Sequence, residues 1–206
     1  PCEKHFAAVG KDTGFLVLFV GKENAAAAEK VLSDAGFTAS ALPNETGTVQ
    51  AALDKDGLEI RPNDWVVLNT GFHRFWRKNN DKYFNYYPGN GPELAKWLMF
   101  EKKIKGISGT YGASDSPVWH CPVKQEMPWL ATNYNLATGR DIDVDYPDYE
   151  PCHRLYAQHG VFAVENAGGD VDEVTGKRMI IAAFPFRCEA ADGGMVRLVA
   201  WEEGSF

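Results

Sequence analysis

Cys152-His-Arg-Leu-Tyr-Ala-Gln-His-Gly-Val-Phe-Ala-Val-Glu-Asn166 holds a helix, a stop and a strand in one short run. Cys152 to His159 is predicted helical, Gly160 breaks the helix, and Val161 to Val164 is an apolar strand. A helix running straight into a strand is the local signature of an α/β chain. The same run carries chemistry. His153 opens the helix and Glu165 falls at the C-terminal end of the strand, and helix starts and strand ends are where such folds gather functional groups. An ionised carboxylate beside an apolar run requires a cation, a donor network or solvent. A neutral imidazole and a carboxylate brought together suit Zn or Mn. The plainer alternative is that Glu165 ends an exposed strand and His153 caps a helix at the surface.

Working outward, Met179 to Phe186 and Met195 to Glu202 are two further strands, joined by a turn at Asp192-Gly193-Gly194. Upstream, Phe15 to Val20 is fully apolar and predicts a buried strand. Asn24 is suited to cap a helix over Ala25 to Ala35, closed by Gly36, and Phe37 to Leu42 follows as a strand. The first forty residues therefore predict a β-α-β unit. Thr48 to Lys55 is a short helix and Trp65 to Thr70 a strand. Gly71 to Gly91 is an aromatic loop holding Phe72, Phe75, Trp76, Tyr83, Phe84, Tyr86 and Tyr87, which reads more readily as core or oligomer interface than as a ligand cage. Pro92 stands where a first helical residue belongs, with Leu94, Trp97 and Leu98 on one face to about Lys102. Ile104 to Ser108 is a strand, and Asn133 to Pro151 is polar and loop-like. The expectation is a single α/β domain over residues 1–206, with a central mixed β-sheet flanked by short helices.

Composition limits the partners. Of 206 residues, 45% are hydrophobic and 24% charged, which places the chain among ordinary soluble globular proteins. The net charge of −7, with no Lys/Arg run, argues against nucleic acid. The apolar run at Phe15 to Val20 is far too short to span a bilayer. Cys2, Cys121, Cys152 and Cys188 are widely spaced with no Cys-x-x-Cys, which argues against a zinc knuckle or a thioredoxin motif. Two disulfides or four free thiols are both compatible with this spacing. The sequon Asn44-Glu45-Thr46 does not move the localisation, which stays open between cytoplasmic and secreted after processing. A first residue of Pro1, with no signal segment, reads as a processed chain or a fragment.

Other candidates are weaker. Gly10-Lys11-Asp12-Thr13 resembles the tail of a phosphate loop, but His5 stands where its first glycine belongs. His120-Cys121 with Cys152-His153 makes a poor zinc site, because adjacent side chains on an extended chain diverge. Ser114-Asp115-Ser116 lies in no nucleophile elbow and reads as a turn.

Three stretches resemble the cyclase family that includes bacterial kynurenine formamidase and isatin hydrolase. Ile60-Arg-Pro-Asn-Asp-Trp-Val-Val-Leu-Asn-Thr-Gly-Phe72 is similar to the family's strand ending in Thr-Gly-Trp. Lys82 to Gly89, Glu93 to Leu98 and Gly109-Thr110 resemble its Pro-Gly loop, following helix and Gly-x-Asp-Thr strand, with Tyr111 near the family's Asp. His153 to Asn166, Val171 to Glu173, Ala183 to Phe186 and Gly193 to Arg197 resemble its His…Glu-Asn block and closing hairpin. Together these cover residues 58–203, with residues 1–57 only weakly assigned. The resemblance implies a swivelling β/β/α fold and a metal-dependent hydrolase of a small, aryl-linked amide. It implies metal-ligand roles for His153 and Glu165, and the aromatic loop as a wall of the substrate pocket. The family's N-terminal His-x-Gly-Thr-His-x-Asp motif is absent here. Pro1-Cys-Glu-Lys-His5-Phe6 is similar to the Pro-x-His-Phe that follows it, making His5 the candidate catalytic base or remaining ligand. The missing ligands would then come from outside this chain, in a homo-oligomer or from a second polypeptide. The opposing expectation is a non-catalytic cyclase-fold protein that has lost its metal.

Overall fold

The computed structural model describes residues 4–10, 15–20, 37–40, 44–119, 128, 131–132, 135–136, 139–191, 193–202 and 204, the first three stretches as backbone only. The expected helix at Ala25 to Ala35 and the pair His120-Cys121 lie outside these residues.

At the N-terminus β1 (Lys4–Gly10), β2 (Phe15–Val20) and β3 (Phe37–Ser40) form one sheet in the order β2-β1-β3. Both outer strands run antiparallel to β1, which places His5 opposite Phe19. The two expected strands, β2 and β3, are thus parallel to each other, as a β-α-β unit requires. What the sequence reading lacked is that the weakly apolar Lys4–Gly10 segment is itself a strand and takes the place between them.

The central sheet is parallel, in the order β4 (Trp65–Leu68), β5 (Gly106–Gly109), β6 (Phe162–Val164). Trp65, Gly106 and Phe162 are in register across it, and the Trp65 and Phe162 rings lie stacked, 6.1 Å between centroids and 2° from parallel. A Cβ on Gly106 would enter the Trp65 ring, so the bare backbone of the middle strand is what lets two aromatic rings meet over it. The Trp65 indole N–H donates to Ser108 Oγ at 2.7 Å.

Among the described residues the α-helices are α1 (Thr46–Asp56), α2 (Asn80–Asn85), α3 (Pro92–Lys96), α4 (Ile142–Asp145), α5 (Pro151–Gln158) and α6 (Val171–Val174). Gly57 in the left-handed region closes α1. Pro92 is the first residue of α3, as expected, and the helix continues as a π-turn over Trp97–Glu101, with Lys102 N–H reaching back to Trp97 O. The core gathers Val49 from α1, Leu94, Ala95, Leu98 and Met99 from α3 and its extension, Ile107 from β5, and Cys152 and Tyr156 from α5. Burying a Leu-sized side chain stabilises a fold by about 1.5–3 kcal/mol, so this cluster carries much of the favourable free energy.

The hairpin β7 (Ile180–Pro185) and β8 (Val196–Trp201) pairs from Ile180 opposite Trp201 to Pro185 opposite Val196. The α/β class with parallel and antiparallel pairing is as expected. The two pairings do not share one central sheet but are divided among three. The Asn133 to Pro151 segment is also less irregular than its polarity suggests, since Asp141 caps α4 by accepting from Asp143 N–H. Among the described residues no helix is long and apolar enough to cross a membrane.

Candidate functional site

The site lies where the parallel strands end. The loop after β5 runs Tyr111-Gly-Ala-Ser-Asp-Ser116, and Asp115 in it is completely buried. Neighbouring loops hold it by backbone pairing. Asn90 N–H donates to Ser114 O at 2.7 Å, and Ser116 N–H to Asn90 O at 3.4 Å. Asn44 pairs with the far side of the same loop, its N–H on Gly89 O at 2.9 Å. Gly89 has φ +55°, and a Cβ there would collide with the Asp115–Ser116 backbone. The Pro88-Gly89 pair is thus fixed by how closely two loops approach. Asn90 is also buried, and its Nδ2 donates to Tyr111 Oη at 2.9 Å. Tyr111 is therefore a core residue whose ring fills the space above Gly109.

Asp115 starts helix α5. The helix N-terminus leaves N–H groups without intrahelical acceptors, and Glu150 at the N-cap makes no side-chain cap bond. Asp115 supplies it from 37 residues away, Oδ1 accepting from Cys152 N–H at 2.8 Å and Oδ2 from His153 N–H at 2.9 Å. The same Oδ2 stands 2.6 Å from His153 Nδ1. The other ring nitrogen, Nε2, faces Glu165 Oε1 at 2.8 Å. Glu165 Oε1 in turn accepts from Ser114 N–H at 2.5 Å. The imidazole is held at both ends, with Asp115 fixing its plane from the buried side and Glu165 meeting it from the cleft.

The electrostatics follow from this sandwich. The hydrogen bond to Asp115, then that to Glu165, outweigh burial and push His153 up to about 10. Burial pushes Glu165 up, but the bonds from His153 and from the Ser114 N–H more than reverse it, leaving the carboxyl below its usual range. Ring and carboxyl are about one-third exposed, 32% and 29%. Both line an open cleft of about 2260 Å³ that Val66, Leu68, Phe72 and Asn166 also border.

The donor set fits half of a metal centre. A histidine whose Nδ1 is pinned by a carboxylate and whose Nε2 is presented outward is the usual supported ligand arrangement. Two ligand atoms on one tetrahedral zinc stand roughly 3.3 Å apart, so the pair at 2.8 Å would part by only about 0.5 Å. Among the described residues no group of three or more His, Cys, Asp or Glu side chains is placed to hold a metal.

The structure thus brings two of the three expected site residues together. His5 lies on β1, and its side chain is outside the described residues. Of the other histidines, His73 Nε2 is 3.4 Å from Asp172, and His159 packs edge-on against Phe100. Asp115 was missed, having been read as a turn residue. The available signal was one carboxyl set among small residues just past a Gly-Ile-Ser-Gly strand. The aromatic loop divides between the core and the cleft. Phe72 borders the cleft, whereas Tyr83 and Tyr87 are core, and Trp76 and Phe84 are exposed and packed edge-on against Tyr83.

A family described as "Putative cyclase" matches residues 27–115, somewhat under half of the chain. No curated protein matches significantly. Two solved structures are similar. Isatin hydrolase A from Labrenzia aggregata, bound to benzyl benzoate, is 17% identical with a TM-score of 0.57, the match covering 78% of this chain and 54% of that one. Isatin hydrolase A from Ralstonia solanacearum is 18% identical with a TM-score of 0.59, covering 95% of this chain and 70% of that one. The chain therefore spans only about half the length of the first of these. With parallel and antiparallel sheets, short helices and this match, it carries the cyclase-family fold, the fold of the isatin hydrolases.

Proposed function

We propose that this chain is a metal-dependent hydrolase of small, aryl-linked amides, with His153 and Glu165 as two of the ligands to Zn or Mn. The observation that carries this reading is the presentation of His153 Nε2 to Glu165 Oε1 at 2.8 Å while buried Asp115 holds Nδ1. The fold shared with isatin hydrolases supports it. The remaining ligands are not among the described residues, and a second polypeptide that carries the missing motif would complete the centre.

When bound, the metal supplies a water of lowered pKa and polarises the acyl oxygen. Asp115 holds the imidazole in the tautomer whose Nε2 faces the cleft. The Ser114 N–H keeps Glu165 ionised and aimed at the same point. In the overall reaction water oxygen adds to the amide carbon and the C–N bond breaks. Its electron pair stays on nitrogen, which takes a proton, giving a carboxylic acid and an amine. We assign His5 as the proton carrier, so His5→Ala lowers kcat and leaves metal content unchanged.

The test measures metal in the intact native protein together with hydrolysis of isatin and aryl formamides. Glu165→Gln keeps the fold and loses the metal. Retention of metal and activity by that variant refutes the ligand assignment. Less than about a tenth of an equivalent of Zn or Mn in the native protein favours the non-catalytic reading instead.

A further inference from the structure

Asn166, the residue after Glu165, makes two commitments that nothing so far explains. Its backbone is in the left-handed region at φ +56°, which non-glycine residues seldom adopt and asparagine tolerates better than most. Its side-chain Oδ1 accepts from the hydroxyl of Tyr83 at 2.7 Å. Tyr83 is only 1% exposed, and burial, then the charge of Glu165, push its phenol up to about 12, so it stays a proton donor at any working pH. An amide whose oxygen is engaged by a fixed buried donor has its orientation set, with Nδ2 turned away from the phenol. Among the described residues no acceptor pairs with that Nδ2. Asn166 borders the same cleft as His153 and Glu165.

We propose that Asn166 Nδ2 is a substrate-contacting donor, hydrogen-bonding the acyl oxygen of an amide seated against His153 and Glu165, and that Tyr83 is the positioning residue that aims it. This rests on the hydrolase reading. The chemistry gives the donor a purpose. Charge develops on the acyl oxygen as water adds, and in this part of the cleft the Glu165 carboxylate repels that charge. A preoriented N–H beside it offsets the repulsion without reorganising at the moment of reaction.

The test uses the metal-loaded protein with an aryl formamide as probe. Asn166→Gly keeps the left-handed backbone without strain and removes the amide. It lowers kcat about 100-fold with little change in KM and with metal content equal to wild type. Tyr83→Phe lowers kcat about 10-fold, and the Asn166 side-chain NH2 signals, a single sharp pair in 15N-labelled wild type, broaden or double. A rise in KM with unchanged kcat, or sharp unshifted NH2 signals in Tyr83→Phe, overturns the proposal. If wild type binds metal but hydrolyses no aryl amide, the hydrolase reading fails, and the substrate role of Asn166 fails with it. In that case the NH2 signals still report whether Tyr83 fixes the amide.

Discussion

Asp115→Asn removes one charge and exchanges one acceptor for a donor, with almost no change in volume. In wild type Oδ1 and Oδ2 both face N–H groups, those of Cys152 and His153, and Oδ2 also meets His153 Nδ1. A carboxamide has one oxygen, so either rotamer turns an NH2 against a buried N–H at the start of α5. An unsatisfied buried donor costs about 1–3 kcal/mol, and a lost charge-assisted bond a similar amount. His153 is one-third exposed, so the ionic share belongs at the low end. The sum is about 3 kcal/mol, or a fall in Tm of roughly 6–12 °C for a domain of this size. Two assays check it on chelator-treated protein, a thermal melt by circular dichroism and an NMR titration of the His153 ring. Because the bond to Asp115 is the largest cause holding His153 near 10, the ring in the variant titrates nearer the ordinary imidazole range. A variant that melts within about 1 °C of wild type, with His153 still titrating near 10, refutes this account of the site.

Three further outcomes follow. In metal-free protein the His153 contribution to stability is complete below its unfolded pKa of about 6.5 and is lost as pH rises towards about 10, while that of Glu165 is lost only in acid, as pH falls through its lowered value. Tm therefore declines from about pH 6.5 to 10, and a decline of the same size in His153→Ala contradicts the assignment. Gly89→Ala forces a left-handed alanine into the Asp115–Ser116 backbone and costs more than about 3 kcal/mol by urea melt, whereas Gly57→Ala, at φ +64° with open space around it, costs only about 1 kcal/mol. Equal costs at the two positions would show that the loop contact is looser than described. Leu98→Ala, at a residue with no exposure, lowers stability by about 2–5 kcal/mol in the same melt, and a change under 1 kcal/mol would place Leu98 outside the packed core.

Local signals made the elements legible. Pro92 and Gly160 fall where the sequence predicts a start and a stop, and β2, β4, β7 and β8 match their apolar runs to within a residue or two. These features depend on neighbours a few positions apart. Pairing does not. Nothing in Lys4–Gly10 announces that it takes the middle of a sheet, because its partners lie in other segments. His153 and Glu165 were legible because a single helix-stop-strand run carries both. Asp115 was not, because its role is fixed by the N-terminus of a helix 37 residues downstream. Ser-Asp-Ser in isolation has the chemistry of a turn, and only burial against α5 makes it a cap.

That cap also sets an order of events. Helix α5 has eight residues, too few to persist alone in water, and its own N-cap residue makes no side-chain cap bond. Its first turn becomes stable only after the chain has closed the long loop that carries Asp115 to it, and that loop is itself pinned by Asn90 and, through the Gly89 turn, by Asn44. The imidazole is therefore among the last groups to find its place as the polypeptide collapses, and among the first to lose it when the β5 loop breathes. Amide protons of Cys152 and His153 should accordingly exchange with solvent together with those of Asn90 and Ser116, as one cooperative unit, ahead of the central strands.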